Sequence, residues 1–269
     1  RNSKGVNTSA VYGFANTLLG ILEHERPTHI AACFDTSAPT ARHKLYPAYK
    51  ANRESMPEEL SDQMPLIFRL LEAMNIPILR YEGYEADDTI GTLARIADGT
   101  EGFQTYMVSQ DKDLGQLISS TCFLWKPGKR GNDHEVIDLA KLKEQWGIER
   151  ADQVVDILAL MGDSSDNIPG VAGVGPKTAT QLLLDYGTLD GIYAHLDAIK
   201  DKLRAKLEQG KENAYMSYDL ATIRCEAPIE FSPEACLVQP YDEAALYELF
   251  ARLEFTRLIA RYGLHAPQE

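Results

Sequence analysis

Acidic side chains follow three apolar runs of the sequence, at the point where each run ends. Asp35 comes directly after Phe34, and Asp111 comes shortly after the run that ends near Ser109. If these runs are parallel strands, their carboxyl ends meet at one edge of a sheet, where open α/β folds bind their ligands. The acids predicted to share this edge are Asp35, Glu85, Asp87, Asp88, Asp111 and Asp113.

Each of these acids, taken alone, could simply cap the next helix, since carboxylates are common at helix N-termini. The same placement at three strand ends makes chance a poor explanation for the whole set. Two more acids, Asp163 and Asp166, lie close together in the Gly-Asp-Ser-Ser-Asp-Asn segment at 162–167. The full set therefore predicts a shared carboxylate pocket.

Divalent metal ions would make such a pocket stable. Two unit charges about 4 Å apart repel by about 4 kcal/mol at an effective dielectric constant of roughly 20, so gathered carboxylates need cations. Carboxylate oxygens without histidine or cysteine favour Mg²⁺ or Mn²⁺ over zinc. Eight acids exceed what one Mg²⁺ normally takes from protein, which predicts two ions. Two ions support in-line displacement at phosphorus, so the predicted chemistry is phosphoester hydrolysis without a covalent intermediate.

A basic segment follows the first of these acids. Residues 36–53 contain Arg42, Lys44, Lys50 and Arg53 and no acidic residue. Two tyrosines, at positions 46 and 49, lie between the cations. Cations neutralise phosphates and aromatic rings stack on bases, so this composition suits a single nucleic-acid strand. The alternative is a solvated loop without a ligand.

A glycine-rich hairpin at 168–179 precedes a helical pattern and has the form of a helix-hairpin-helix. Glycines let the backbone approach a ligand closely, and amides at a helix N-terminus bind phosphate without reading bases. A tight turn between two helices is the simpler alternative. A P-loop is excluded because Pro176 stands where its lysine belongs and Lys177 comes one residue late.

Two regions of secondary structure are needed to position these groups. In residues 1–147, β-type runs alternate with segments of helical period, which predicts an α/β fold with a mostly parallel central sheet flanked by helices. The predicted strands are 28–34, 76–81, 104–109 and 122–125, and the predicted helices include 8–23 and 57–74. Residues 148–269 predict a helical region with helices at 151–161 and 176–186, several helices from about 189 to 220 and a final pair around 243–262.

Composition limits the class of protein. A chain of 269 residues with 44% hydrophobic and 25% charged residues is typical of a globular protein with one or two domains. No apolar run is long enough to span a membrane, the first residues form no signal peptide, and the four cysteines form no zinc or disulfide pattern, so we expect a cytoplasmic protein. The net charge of −13 argues against a nucleic-acid partner unless the cations are segregated, as they are in 36–53.

Taken together, these motifs resemble the 5′-nuclease (flap endonuclease) superfamily, with a PIN-like fold, and most closely the 5′ to 3′ exonuclease domains of bacterial DNA polymerase I. The residues that carry the resemblance are 5–14, 34–35, 42–53, 83–88, 111–114 and 162–170. The resemblance implies two Mg²⁺ (or Mn²⁺) ions. The first ion would have Asp35, Glu85, Asp87 and Asp88 on its side, and the second ion Asp111, Asp113, Asp163 and Asp166.

The resemblance also implies how DNA is held. An arch at about 36–56 would admit a 5′ single strand, with Lys50 and Arg53 contacting the scissile phosphate. The hairpin would hold the downstream duplex, with a potassium ion in some relatives. The implied DNA-binding residues are Arg42, His43, Tyr46, Tyr49, Gly170, Gly173, Gly175, Lys177 and Thr178. The implied function is the removal of 5′ flaps and RNA primers in replication and repair, by a monomer that a polymerase domain follows in the same chain.

One family feature does not occur in the sequence. Family members begin with an apolar strand whose aspartate binds the first metal ion, and the sequence that starts at Arg1 contains no such strand. We therefore expect the first strand of the sheet to be missing. The missing strand makes a catalytically impaired protein that binds DNA junctions one alternative function. A metal-dependent phosphatase for small substrates is another, since aspartates at strand ends also suit that chemistry.

Overall fold

The first 147 residues form an α/β structure. A computed structural model describes residues 2–128, 133–230 and 232–267. Its strands are β1 (Ala32–Cys33), β2 (Ile78–Leu79), β3 (Thr105–Val108), β4 (Cys122–Pro127) and β5 (His134–Ile137). The helices of this part are α1 (Ser9–His24), α2 (Ala41–Leu45), α3 (Glu58–Ser61), α4 (Met64–Ala73), α5 (Ala86–Asp98) and α6 (Leu139–Trp146). The predicted fold class is confirmed.

The strands form two small sheets in the described residues. β1 pairs with β2 in parallel, and β3 pairs with β4 in parallel. β5 joins β4 in antiparallel orientation and was not predicted, because three of its four residues are partly or fully exposed and give little apolar signal. The predicted strand 28–34 is shorter in the structure, because Ile30 donates its amide proton to the Cys236 carbonyl at 2.7 Å instead of continuing the sheet.

The predicted helix 57–74 is divided into α3 and α4. Pro65 lacks an N–H group and its ring would meet the carbonyl four residues earlier in a continuous helix, so α4 begins there. Gln63 lies between the two helices and is buried, and its side-chain oxygen accepts from the amides of Ala10 (2.9 Å) and Val11 (3.2 Å). The Gln63 side chain, between α3 and α4, thus accepts hydrogen bonds from backbone amides at the N-terminus of α1 that have no partner within the helix.

After residue 147, the α-helices are the main regular elements of the described residues. They are α7 (Gln153–Met161), α8 (Pro176–Tyr186), α9 (Leu189–Ala194), α10 (Asp201–Gln209), α11 (Lys211–Ala221), α12 (Glu243–Leu253) and α13 (Thr256–Arg261). The structure reproduces the predicted bounds of α8. The helices predicted from about 189 to 220 are three, α9, α10 and α11, with a short 3₁₀ turn after α9.

Two hydrophobic cores hold these elements together. One packs β3, β4 and α7 to α11, around residues such as Leu124, Leu158 and Leu207. The other packs α1 and α4 against α12, around Leu19 and Phe250. The C-terminal helices thus pack on the N-terminal part of the chain, and the cores do not follow the predicted boundary at residue 147. None of the described helices is long and apolar enough to cross a membrane, and the four cysteines are free thiols.

Candidate active site at the carboxyl ends of the strands

The first turn of α5 gathers carboxylates by ordinary helix capping. Glu85 is the N-cap residue of α5 and forms a capping box with Asp88. Asp35, which follows β1, accepts a hydrogen bond from the Ala86 amide at 2.7 Å. The exposed amides and dipole of a helix N-terminus favour negative charge. Capping therefore brings the acids from two strand ends together.

Five of the eight predicted metal ligands line one small cavity. It has a volume of about 20 Å³, and Arg42, Tyr49 and Lys50 are also part of its wall. The carboxylates in the wall are Glu85, Asp87, Asp111, Asp113 and Asp166. Acids from three separate segments of the sequence thus converge, whereas the predicted ligands Asp35, Asp88 and Asp163 lie outside the cavity wall.

The cavity has a deficit of positive charge. Burial, and then the neighbouring Asp111 carboxylate, raise the pKa of Asp87 to about 8. The same two causes raise the pKa of Asp113 to about 7. The buried Oδ1 of Asp113 has no hydrogen-bond partner among the described residues. Carboxylate oxygens are the donors that hard divalent ions prefer, so the chemistry of these side chains suits such an ion.

Asp163 and Asp166 approach the cavity from the loop that follows α7, and both are 7% exposed. Lys112 Nζ lies 2.8 Å from Asp163 Oδ2. Burial alone would raise the pKa of Asp163, but the hydrogen bonds from Lys112 and Ser165 outweigh it and hold the pKa below its ordinary value. These two acids therefore already have cationic or hydrogen-bonding partners.

The basic segment lies against this loop. The Lys50 amide donates to the Asp166 carbonyl at 2.8 Å, and Asn52 Nδ2 donates to the Ser164 carbonyl at 2.6 Å. Lys50 Nζ lies 2.6 Å from Glu85 Oε1 and 3.9 Å from Asp166 Oδ2, and Arg53 forms an ion pair with Asp166. Among residues the structure describes, no three acidic, histidine or cysteine side chains are arranged to hold an ion, and these cations contact the carboxylates instead.

Four predicted DNA-binding side chains of the basic segment turn toward the protein. Arg42 and Tyr49 are each 3% exposed, and the Tyr49 hydroxyl donates to Glu85 Oε2 at 3.1 Å. His43 Nδ1 contacts the Thr40 side chain, and its ring meets the Tyr49 ring edge-on at 5.4 Å. Tyr46 is half-buried against the core. Arg42 and Tyr49 thus present no surface to a DNA strand in this conformation.

The glycine hairpin joins α7 to α8. Gly170 has a φ of 60°, its amide donates to Ser217 Oγ at 2.9 Å, and a Cβ there would lie 2.3 Å from the Gly162 nitrogen. Gly175 is the N-cap of α8, and a Cβ there would meet nothing within 4 Å. The first turn of α8 also carries Lys177, which is exposed, and Thr178, which is half-buried. The amides at the start of α8 are therefore accessible to an anion.

The sequence analysis did not predict two lysines that contact candidate functional residues. Lys112 pairs with Asp163, and its position between Asp111 and Asp113 was a signal that could have identified it. Lys206, on α10, donates to the carbonyl of Gly173 in the hairpin at 3.1 Å. Nothing in the sequence links Lys206 to a glycine 33 positions earlier.

The chain matches two adjacent families along its length. Residues 1–147 match the family described as 5′-3′ exonuclease, N-terminal resolvase-like domain, and residues 149–244 match the 5′-3′ exonuclease, C-terminal SAM fold. The DNA polymerase I of Caldicellulosiruptor bescii is 42% identical over 97% of this chain and 31% of that protein. The DNA polymerase I of Bacillus subtilis is 43% identical over 97% of this chain and 30% of that protein. The chain thus spans about a third of the length of these relatives.

Solved structures share the fold. The T5 5′-exonuclease with divalent zinc ions has a TM-score of 0.65 at 20% identity, covering 91% of this chain and 90% of that chain. The catalytic core of Rad2 in complex with a DNA substrate has a TM-score of 0.64 at 17% identity, covering 98% of this chain and 88% of that chain. With the convergent carboxylates, the glycine hairpin and the two family matches, the chain belongs to the 5′-3′ exonuclease family.

Proposed function

We propose that this chain is a structure-selective 5′ nuclease that hydrolyses phosphodiesters at 5′ flaps or primers on duplex DNA with two Mg²⁺ or Mn²⁺ ions. The observation that carries the proposal is the cavity in which five carboxylates from three segments converge beneath the basic segment. A small-molecule phosphatase would need neither the basic segment nor the hairpin. The T5 exonuclease named above is described with divalent zinc ions, which supports divalent metal use.

The carboxylates fit hard divalent cations by their chemistry. Asp87, Asp111 and Asp113 would hold them, because two of these acids have strongly raised pKa values and one carries an orphaned oxygen. Glu85 and Asp166 line the same cavity, whereas Asp35 contacts the Ala86 amide and Asp163 pairs with Lys112. Bound ions would supply electrostatic stabilisation of the charge that develops on the phosphate during in-line displacement.

Lys50 and Arg53 would hold the scissile phosphate at the edge of the cavity. Both now contact carboxylates, Lys50 with Glu85 and Arg53 with Asp166. When other cations neutralise those acids, the two side chains become free to donate to phosphate oxygens. Neither contact reads a base, so the proposed selectivity is for structure and not for sequence.

The hairpin would hold the duplex through its backbone. The open amides at the start of α8 and the side chains of Lys177, Thr178 and Lys206 are suited to phosphate. The relatives named DNA polymerase I are about three times the length of this chain, so we include a covalently linked polymerase domain and a role in primer removal in the proposal.

A labelled 5′-flap duplex with Mg²⁺ tests the proposal. We expect cleavage that EDTA abolishes and that falls at least about 100-fold in Asp113→Asn, because the amide lacks the negative charge that the proposed metal ions need. Asp62→Asn, an exposed aspartate beyond α3, is the matched control and should cleave normally. Full activity in a folded Asp113→Asn variant would contradict the proposal. Flap binding without cleavage would instead support the impaired DNA-junction binder.

A further inference from the structure

Every N–H group of the Arg42 guanidinium, on α2, donates a hydrogen bond within the protein. Nε donates to the Leu220 carbonyl at 2.9 Å, and Nη2 donates to the Thr222 carbonyl at 2.7 Å. Nη1 donates to Glu85 Oε2 at 2.9 Å and to Asp88 Oδ2 at 2.8 Å, and Nη2 also donates to Asp88 Oδ1 at 2.7 Å. A guanidinium has five N–H donors, so none remains for a phosphate.

Asp88 is equally saturated. Besides the two hydrogen bonds from Arg42, its Oδ2 accepts from the Glu85 amide at 3.0 Å and its Oδ1 accepts from the Arg224 amide at 2.9 Å. These four bonds occupy the four acceptor positions of a carboxylate. The side chain is 1% exposed. Burial alone would raise its pKa, but Arg42 outweighs burial and holds the pKa of Asp88 below its ordinary value.

The pair joins three separate parts of the chain. Arg42 lies on α2 in the basic segment, Asp88 lies in the first turn of α5, and the two carbonyls lie at the end of α11. Glu85, the predicted metal ligand, shares Nη1 of Arg42 with Asp88. Glu85 is therefore fixed from one side by a group that also contacts the helical region.

We infer that Arg42 is a positioning residue that fixes Glu85 for metal binding, and that Asp88 is its counter-ion and not a metal ligand. The inference rests on the proposed function and revises two expectations drawn from the family resemblance: DNA contact by Arg42 and metal binding by Asp88. The same contacts link the metal side of the site to the end of α11, so a shift of α11 would change the orientation of Glu85.

The test compares three variants by the number and affinity of bound Mn²⁺, read from free Mn²⁺ by electron paramagnetic resonance. Arg42→Met combined with Asp88→Leu removes both buried charges together, which avoids leaving one unpaired. We expect this double variant to fold, to keep the number of Mn²⁺ ions bound by the unmodified chain, and to bind them about 10- to 100-fold more weakly. Asp87→Asn is the control that should lose an ion. Arg42→Lys keeps the positive charge but lacks the planar guanidinium group that contacts Glu85 and Asp88 together. It should therefore also weaken Mn²⁺ binding.

Each other outcome overturns the inference. A folded double variant that loses one Mn²⁺ ion would make Asp88 a ligand, and a double variant or Arg42→Lys with unchanged Mn²⁺ affinity would reduce the pair to a purely structural contact. If the double variant does not fold, Arg42→Lys alone decides. Flap cleavage by the unmodified chain is measured separately: Mn²⁺ binding without cleavage would remove the proposed function alone, and no Mn²⁺ binding would remove both.

Discussion

Lys50 and Glu85 form an ion pair at 2.6 Å in the floor of the carboxylate cavity. Lys50, which is proposed to hold the scissile phosphate, is thus paired with Glu85, which is proposed to hold metal. Both partners are largely buried, with side-chain exposures of 18% and 13%, so water screens the pair only in part. On the proposed function, metal ions would compete with Lys50 for Glu85, and metal binding should release the lysine toward DNA.

Lys50→Met should expose this competition. In EDTA the variant should unfold a few degrees lower than the unmodified chain, because Glu85 loses a cation, and added Mg²⁺ should stabilise it more. Flap cleavage should fall about 100-fold, because a phosphate contact is lost. Differential scanning calorimetry and a flap assay measure both effects. Lys44→Met, an exposed lysine of the same segment, is the control, and an equal response of the two variants would refute the competition.

The raised pKa values of Asp87 and Asp113 predict that the metal-free chain loses stability as the pH rises. Their pKa values are raised from 3.8 to about 8 and about 7, mainly by burial, so the folded chain keeps protons that the unfolded chain has released. The stabilising contribution is complete below about pH 4 and is lost as the pH passes through 7 and 8. Thermal midpoints in EDTA measure it. Asp113→Asn should flatten the decline, and a decline of equal slope in that variant would exclude the assignment.

Gly170 and Gly175 should respond differently to alanine. Gly170 has a φ of 60° and a Cβ there would lie 2.3 Å from backbone, so Gly170→Ala should lower the free energy of unfolding by at least about 2 kcal/mol. Gly175 has a φ of −98° and open space, so Gly175→Ala should keep its stability. Its methyl group should nevertheless weaken duplex binding by keeping phosphate from the α8 amides. Urea unfolding and fluorescence anisotropy separate the two effects, and unaltered DNA affinity of Gly175→Ala would argue against phosphate at this turn.

Lys206→Ala should lower the affinity for DNA and make that affinity less dependent on salt concentration. Removing one phosphate-neutralising cation makes the slope of log K against log salt shallower by about 0.9. Anisotropy titrations at several KCl concentrations measure the slope. Lys202→Ala, an exposed lysine on the same helix, is the control. Equal slopes for Lys206→Ala and the unmodified chain would show that Lys206 only supports the Gly173 carbonyl.

Local signals predicted much of the fold. The bounds of α8 follow from Gly175 at the N-cap, Pro176 in the first turn and a clear helical period, all of which act within a few residues. The acids after β1, β2 and β3 were predicted to share an edge, because parallel strands impose that arrangement. The cavity contains Glu85 and Asp87 from the end of β2 and Asp111 and Asp113 from the end of β3, whereas Asp35 after β1 lies outside its wall.

The sequence by itself therefore determined helices such as α1, α7 and α8 and the acids that follow β2 and β3, because periodicity and capping depend on near neighbours. Only the tertiary structure decided the direction of each charged side chain. Arg42 reads as a DNA-binding cation in its own segment, yet it is buried because its acceptors include Leu220 and Thr222, 178 and 180 residues away. Burial of a guanidinium group is stable only where several hydrogen-bond acceptors surround it. Acceptors from distant parts of the sequence come together only in the folded chain.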